Sequence, residues 1–208
     1  MPIKHSENKP HLLKLVDYHH PVLHKAAETI SFPLSEEDRS LINDMRFSIQ
    51  KEQLKAVDAP WDAAAGMAAN QWGVSKRIFL YCPEADAINN LEVIINPSYE
   101  PLKPFKNEQD WEACFSVPLA CGKIQRYTHI RATYQNETGE TIVRELEGFY
   151  ARVWQHETDH LNGFLYDNPL IKKCIAKRMF TSRESIDEFY NLIREERKKE
   201  FGLNNKED

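Results

Sequence analysis

Apolar positions at helical spacing follow the polar stretch Ser35-Glu36-Glu37-Asp38: Leu41, Ile42, Met45 and Ile49 share one face. Ser35 reads as an N-cap with an acidic first turn behind it. Pro60 stands beyond the end, so the pattern predicts a helix from about 36 to 55. The middle of the chain changes period. Arg77–Cys82, Leu91–Asn96, Lys123–Tyr127 and His129–Gln135 are short runs rich in β-branched and aromatic residues, punctuated by Pro97, Pro101, Pro104 and Gly122. Arg131–Gln135 and Thr141–Leu146 flank Asn136-Glu137-Thr138-Gly139, a hairpin signal. A second helix is predicted from Gly148 to Asn162, with Gly163 suited to end it. A third begins near Ser182, places Ile186, Phe189, Tyr190 and Ile193 on one face, and frays in a Lys/Glu-rich end. Helices grouped around short, mostly antiparallel strands make an α+β fold.

The 208 residues suggest one domain. Residues 1–11 read as a loose polar arm, 12–201 as the catalytic domain and 202–208 as a tail. A net charge of −5 argues against retention on DNA or on anionic membrane by bulk charge. No apolar run is long enough to span a bilayer. The first residues lack a signal or transit pattern, which points to the cytoplasm. Cys82, Cys114, Cys121 and Cys174 show no disulfide framework and read as thiols, one of them a candidate ligand.

The sharpest chemical signal is His156-Glu157-Thr158-Asp159-His160. Residues four apart on a helix share a face, so both imidazoles can reach one metal ion, with Glu157 beside them as a general base. Phe149 and Val153 extend the same stripe. An apolar stripe alone means core; one that ends in two histidines and a glutamate reads as a pocket wall leading to a metal. A catalytic site of this kind needs a third protein ligand and an open position. Tyr166 stands where a third histidine would complete a longer protease motif. Glu184 and Glu188 are candidates on the later helix, and Cys114 is a candidate upstream. A closed site using Cys121 as well would need six intervening residues where about two to four are usual.

Three short motifs stand in order: Ala64-Ala65-Gly66-Met67-Ala68-Ala69-Asn70-Gln71, Glu112-Ala113-Cys114-Phe115-Ser116 and Gln155-His156-Glu157-Thr158-Asp159-His160. They resemble the peptide deformylase motifs GxGxAAxQ, EGCxS and QHExDH. Tyr18–Leu23 and Asn43-Asp44-Met45 are similar as well, and the resemblance spans about residues 12–170. It implies a metal-dependent hydrolase that removes the formyl group from the N-terminal formyl-methionine of new polypeptides. The implied ligands are Cys114, His156 and His160. They would hold one divalent ion, Fe2+ physiologically, with Zn2+ or Ni2+ possible in purified protein. Glu157 would move the proton, while Gln71 and the Phe115 backbone N–H would hold the oxyanion. Ala65, Gly66, Ala113, Phe149 and Val153 would contact substrate. The resemblance also gives buried Glu112 a cationic partner in Arg126. Asp159 has two readings, as support behind a ligand or as an ordinary surface carboxylate. The mixed-charge run Arg194–Lys199 reads first as a solvated face and second as a ribosome contact.

The sequence departs from the family at Ala64 and Ala113, where glycine is usual, at Asp110 in place of an apolar residue, and at Cys121 in place of arginine. These departures bear on substrate fit more than on reaction type. Two rivals follow from the same residues: an HExxH protease, and a binding module that holds formyl peptides without turnover.

Overall fold

The computed structural model describes residues 9–61, 63–82, 91–166 and 174–200. Two α-helices, α1 (Glu36–Ser48) and α2 (Lys51–Ala56), precede eight strands and two further helices. The strands are β1 (Gly66–Ala68), β2 (Ile78–Tyr81), β3 (Glu92–Pro101), β4 (Asn107–Cys114), β5 (Val117–Tyr127), β6 (His129–Gln135), β7 (Thr141–Glu147) and β8 (Cys174–Met179). The helices are α3 (Gly148–Leu161), between β7 and β8, and α4 (Arg183–Glu200). One sheet runs in the order β1-β2-β3-β6-β7 and the other in the order β4-β5-β8. Every pairing between these strands is antiparallel. The arrangement is the α+β fold expected, with the tail at 202–208 and the first eight residues of the arm outside the described residues. At the arm's end, the His11 N–H already donates to Asp44 on α1.

The larger sheet is covered on both faces. Ile78 and Leu80 face Ile42 and Met45 of α1 and Leu54 of α2, whereas Phe79 and Tyr81 face Trp154 of α3. That double burial explains why β2 reads as an unbroken apolar run. The smaller sheet is also covered twice. Glu112 and Cys114 of β4 turn toward α3, while Trp111 and Ala113 turn toward Ile186 and Phe189 of α4.

The single helix expected over 36–55 is two. Ile49 ends α1, and Gln50 takes an extended conformation before α2 begins. The apolar spacing explains the break: after Ile49 a continuous helix would bury position 52 or 53, which are Glu52 and Gln53. Re-phasing the chain brings Leu54 into the core, 1% exposed. The Ser35 cap forms as a reciprocal capping box with Asp38. β3 continues past the expected end through a bulge at Asn96, where φ is +50°, and Pro97 sits in that bulge. The Asn96 amide fixes the bulge by bonding both Ile30 backbone groups and Gln135. α3 ends as expected: Gly163 has φ +78°, its N–H donates to His160 O, and the Phe164 N–H reaches Asp159 O.

Candidate metal centre

Cys114 lies at the end of β4, and His156 and His160 lie one turn apart on α3. Their ligand atoms are all within 4.8 Å of one another. His156 Nε2 and His160 Nε2 are 3.2 Å apart. Two nitrogens on one tetrahedral ion, each at about 2.0–2.1 Å, would stand about 3.3 Å apart. Cys114 Sγ is 3.1 Å from His160 Nε2, a little inside the roughly 3.5 Å that the same geometry gives for sulfur and nitrogen. The set therefore fits a single divalent ion. Of the other ligand candidates, Glu184 and Glu188 are exposed on α4, and Cys121 packs against Ile186 and Phe189. None of these joins the cluster, which among the described residues holds Cys114, His156 and His160 alone.

A buried ionic network holds the ligands. Glu112 accepts two parallel bonds from Arg126, each of 2.9 Å, one of 2.8 Å from Arg152 and one of 2.9 Å from His156 Nδ1. Arg126 also bonds Asp159, which is buried rather than on the surface. With Nδ1 committed to donating, the Nε2 lone pair of His156 faces the cluster. Burial alone would raise the Glu112 pKa; the Arg126 charge and its hydrogen bonds instead hold it well below the usual carboxylate range. Arg152 spans further, donating to Ile124 O and Glu108 O, so it fastens α3 to both β4 and β5. Gln155 adds a second fastening by bonding both backbone groups of Tyr127.

Glu157 sits beside the ligands. Its Oε2 is buried and has no hydrogen-bond partner among the described residues; His160 Nδ1 is the other such atom at the cluster. Burial pushes the Glu157 carboxyl up to about 7. A bound cation would draw that value down again. Gly66 is what lets β1 pass so near: a Cβ there would lie 2.8 Å from Glu157 Cγ and 3.0 Å from Val153 Cγ1. The Gln71 amide is anchored through its oxygen, which accepts from the Ala68 N–H at 2.9 Å. Its Nε2 donates to Ser116 Oγ at 3.2 Å and lies 3.8 Å from Cys114 Sγ.

A cleft of about 420 Å³ opens onto this group. It runs between β1 and β4, both edge strands of their sheets. Ala65, Gly66, Ala113, Phe115, Phe149 and Val153 line it, as does Asp110. Neither Ala64 nor Ala113 has positive φ, so the alanines that depart from the family pattern carry no backbone strain. Arg152, Gln155 and Ser116 are polar residues whose parts the sequence did not announce. Ser116 stands inside a quoted motif. Arg152 is one helical turn before His156, and a cation at that spacing was the available signal. Trp61, Trp111, Tyr190 and Ile193 also line the cleft; the helical spacing puts Tyr190 and Ile193 on one face of α4, whereas Trp61 and Trp111 have no local signature.

Comparison with known proteins identifies the family. The family model described as polypeptide deformylase matches residues 12–174. The chain belongs to that family. It is 36% identical over 162 residues to peptide deformylase 1 of Bordetella pertussis, covering 74% of this chain and 84% of that one. It is 45% identical over 114 residues to peptide deformylase 2 of Ralstonia nicotianae, covering 50% of this chain and 63% of that protein. Thus the chain spans somewhat under two thirds of that relative's length. The crystal structure of peptide deformylase from Thermotoga maritima superposes with a TM-score of 0.63 at 32% identity, covering 80% of this chain and 99% of that one. α4 lies beyond the matched residues.

Proposed function

We propose that this deformylase-family chain removes the formyl group from N-formyl-methionyl polypeptides, releasing formate and a free amino terminus. The observation that carries the reading is the Cys114, His156 and His160 cluster set beside the unpartnered Glu157 oxygen in a cleft between two strand edges. In our reading those three side chains hold one divalent ion, Fe2+ in the cell, with Zn2+ or Ni2+ able to substitute. Such an ion supplies Lewis-acid polarisation of the formyl oxygen and a more acidic water. Glu157 takes the proton from the attacking water and passes it to the departing nitrogen. Gln71 Nε2 and the Phe115 N–H donate to the oxygen on which charge develops. Glu112 fixes the ring of His156, Arg126 and Arg152 hold Glu112 in turn, and Asp159 holds Arg126. The peptide binds as an added strand, its backbone pairing with the free edges of β1 and β4. Ala65, Gly66, Phe149 and Val153 flank its first residue.

The protease reading lacks its ligand, since Glu184 and Glu188 stand outside the cluster. Among the described residues no helix is long and apolar enough to cross a membrane, and we assign the chain to the cytoplasm with nascent peptides as its substrates. Any ribosome contact we assign to the Arg194–Lys199 run of α4. Formate release from formyl-Met-Ala-Ser by anaerobic ferrous protein tests the reading. We expect equimolar formate and free amine. Binding of the peptide without formate would replace the enzyme by a binding module.

A further inference from the structure

β4 divides the cleft. Its residues alternate, with Glu112 turned to α3 and the ligands, and with Trp111 and Ala113 turned to α4. On the α4 side the lining is apolar: Trp61, Trp111, Ala113, Tyr190 and Ile193. These side chains belong to one cluster built on Cys121, Ile186 and Phe189, yet each is only half-buried. Phe189 fixes the wall from behind, edge-on to Trp111 with ring centroids 5.1 Å apart. Trp61 is set edge-on to Phe115 at 5.3 Å, which ties this wall to the residue after Cys114. The wall thus joins the cleft directly and presents two indoles, a phenol ring and a branched aliphatic chain.

A peptide strand paired with the edge of β4 shares its pleat, so successive substrate side chains turn to opposite faces. The formylated residue turns its side chain toward α3, against Phe149 and Val153. The next residue must then turn toward α4. We infer that Tyr190 and Ile193 of α4, with Trp61 and Trp111, form a subsite for the side chain of the second substrate residue, and that this subsite selects large apolar side chains. This inference rests on the deformylase reading above. It makes α4 a part of the substrate site, although the helix lies outside the residues that the family model matches.

The test compares formyl-Met-Leu-Ser with formyl-Met-Gly-Ser on metal-loaded full-length protein. An apolar pocket that encloses such a side chain gives about tenfold discrimination or more in kcat/KM. We expect the parent to prefer the leucine peptide by at least that factor. The Tyr190→Ala/Ile193→Ala double variant should bring the ratio close to one with metal content unchanged. Tyr190→Phe should keep the preference, because the ring and not the hydroxyl forms the wall. A parent that turns over both peptides at equal kcat/KM overturns the subsite and leaves the deformylase reading standing, whether or not the double variant folds. A double variant that keeps its metal and the parent's ratio also overturns it. A parent that releases formate from neither peptide defeats the deformylase reading itself.

Discussion

α3 and α4 border the same cleft but are held in place by different forces. α3 is embedded: ten of its fourteen residues are buried, and its side chains bond to β4 and β5. α4 is amphipathic, and among its described residues only Ile186 and Phe189 are buried. Its contact with the smaller sheet is apolar and aromatic, with Arg178 stacked 4.4 Å from the Phe189 ring centroid. Charged hydrogen bonds have narrow geometric limits, so they fix ligand atoms to tenths of an ångström. Apolar packing tolerates adjustment, which suits a wall that meets differing substrate side chains. On the proposed reading the two helices divide the work: α3 fixes the ligands, and α4 shapes the cleft beside them.

The division can be broken first at the ligands. Cys114→Ala should lose metal and formate release together, while Cys121→Ala, on the α4 side of the same sheet, should keep stoichiometric metal. Metal analysis of both variants checks this, and an empty Cys121→Ala protein would mean a fourth, closing ligand. Next in size is Glu157→Gln, which we expect to bind metal normally and to lose about 10²–10⁴-fold in turnover, as removal of a general base does. Single-turnover formate assays would register it.

Glu112→Ala attacks the frame and not the chemistry. It strips a buried carboxylate from Arg126 and Arg152 and should cost about 3–5 kcal/mol of stability in urea unfolding. The α4 counterpart, Phe189→Ala, removes a large ring worth about 3–5 kcal/mol when fully buried in a core. On a half-exposed helix we expect most of that loss to appear as local undocking. Hydrogen exchange should quicken in α4 while α3 stays protected. Equal acceleration in both helices would contradict the division. The smallest effect is expected from Ala64→Gly with Ala113→Gly. Both alanines adopt unstrained backbone at the cleft, so removing their methyls should lower KM for formyl peptides and leave the chemical step alone.

The same division governs what the sequence discloses. α3 was legible because its evidence is local: Phe149, Val153, His156 and His160 recur at one period, and Gly163 marks the end. The capping box at Ser35 and the hairpin at Asn136 were legible for the same reason. β4 was not, since Asn107-Glu108-Gln109-Asp110 has no apolar alternation; as an edge strand it meets solvent along that half. β8 was missed too, because most of its residues are exposed. The break between α1 and α2 was present only as a phase error, Leu54 standing five positions after Ile49. The apolar face of α4 was legible in the spacing of Ile186, Phe189, Tyr190 and Ile193, but its partners across the cleft were not. Trp111 and Phe189 are far apart in the chain, and no local pattern announces that their rings meet.

X-ray absorption at the zinc edge of the zinc-loaded protein tests the central claim most directly. Cys114, His156 and His160 should appear as one sulfur at about 2.3 Å and two nitrogens at about 2.0–2.1 Å, with a light, exchangeable atom completing the shell. A second sulfur would show that Cys121 closes the site, and a shell without sulfur would show that Cys114 is no ligand; either result would contradict the account.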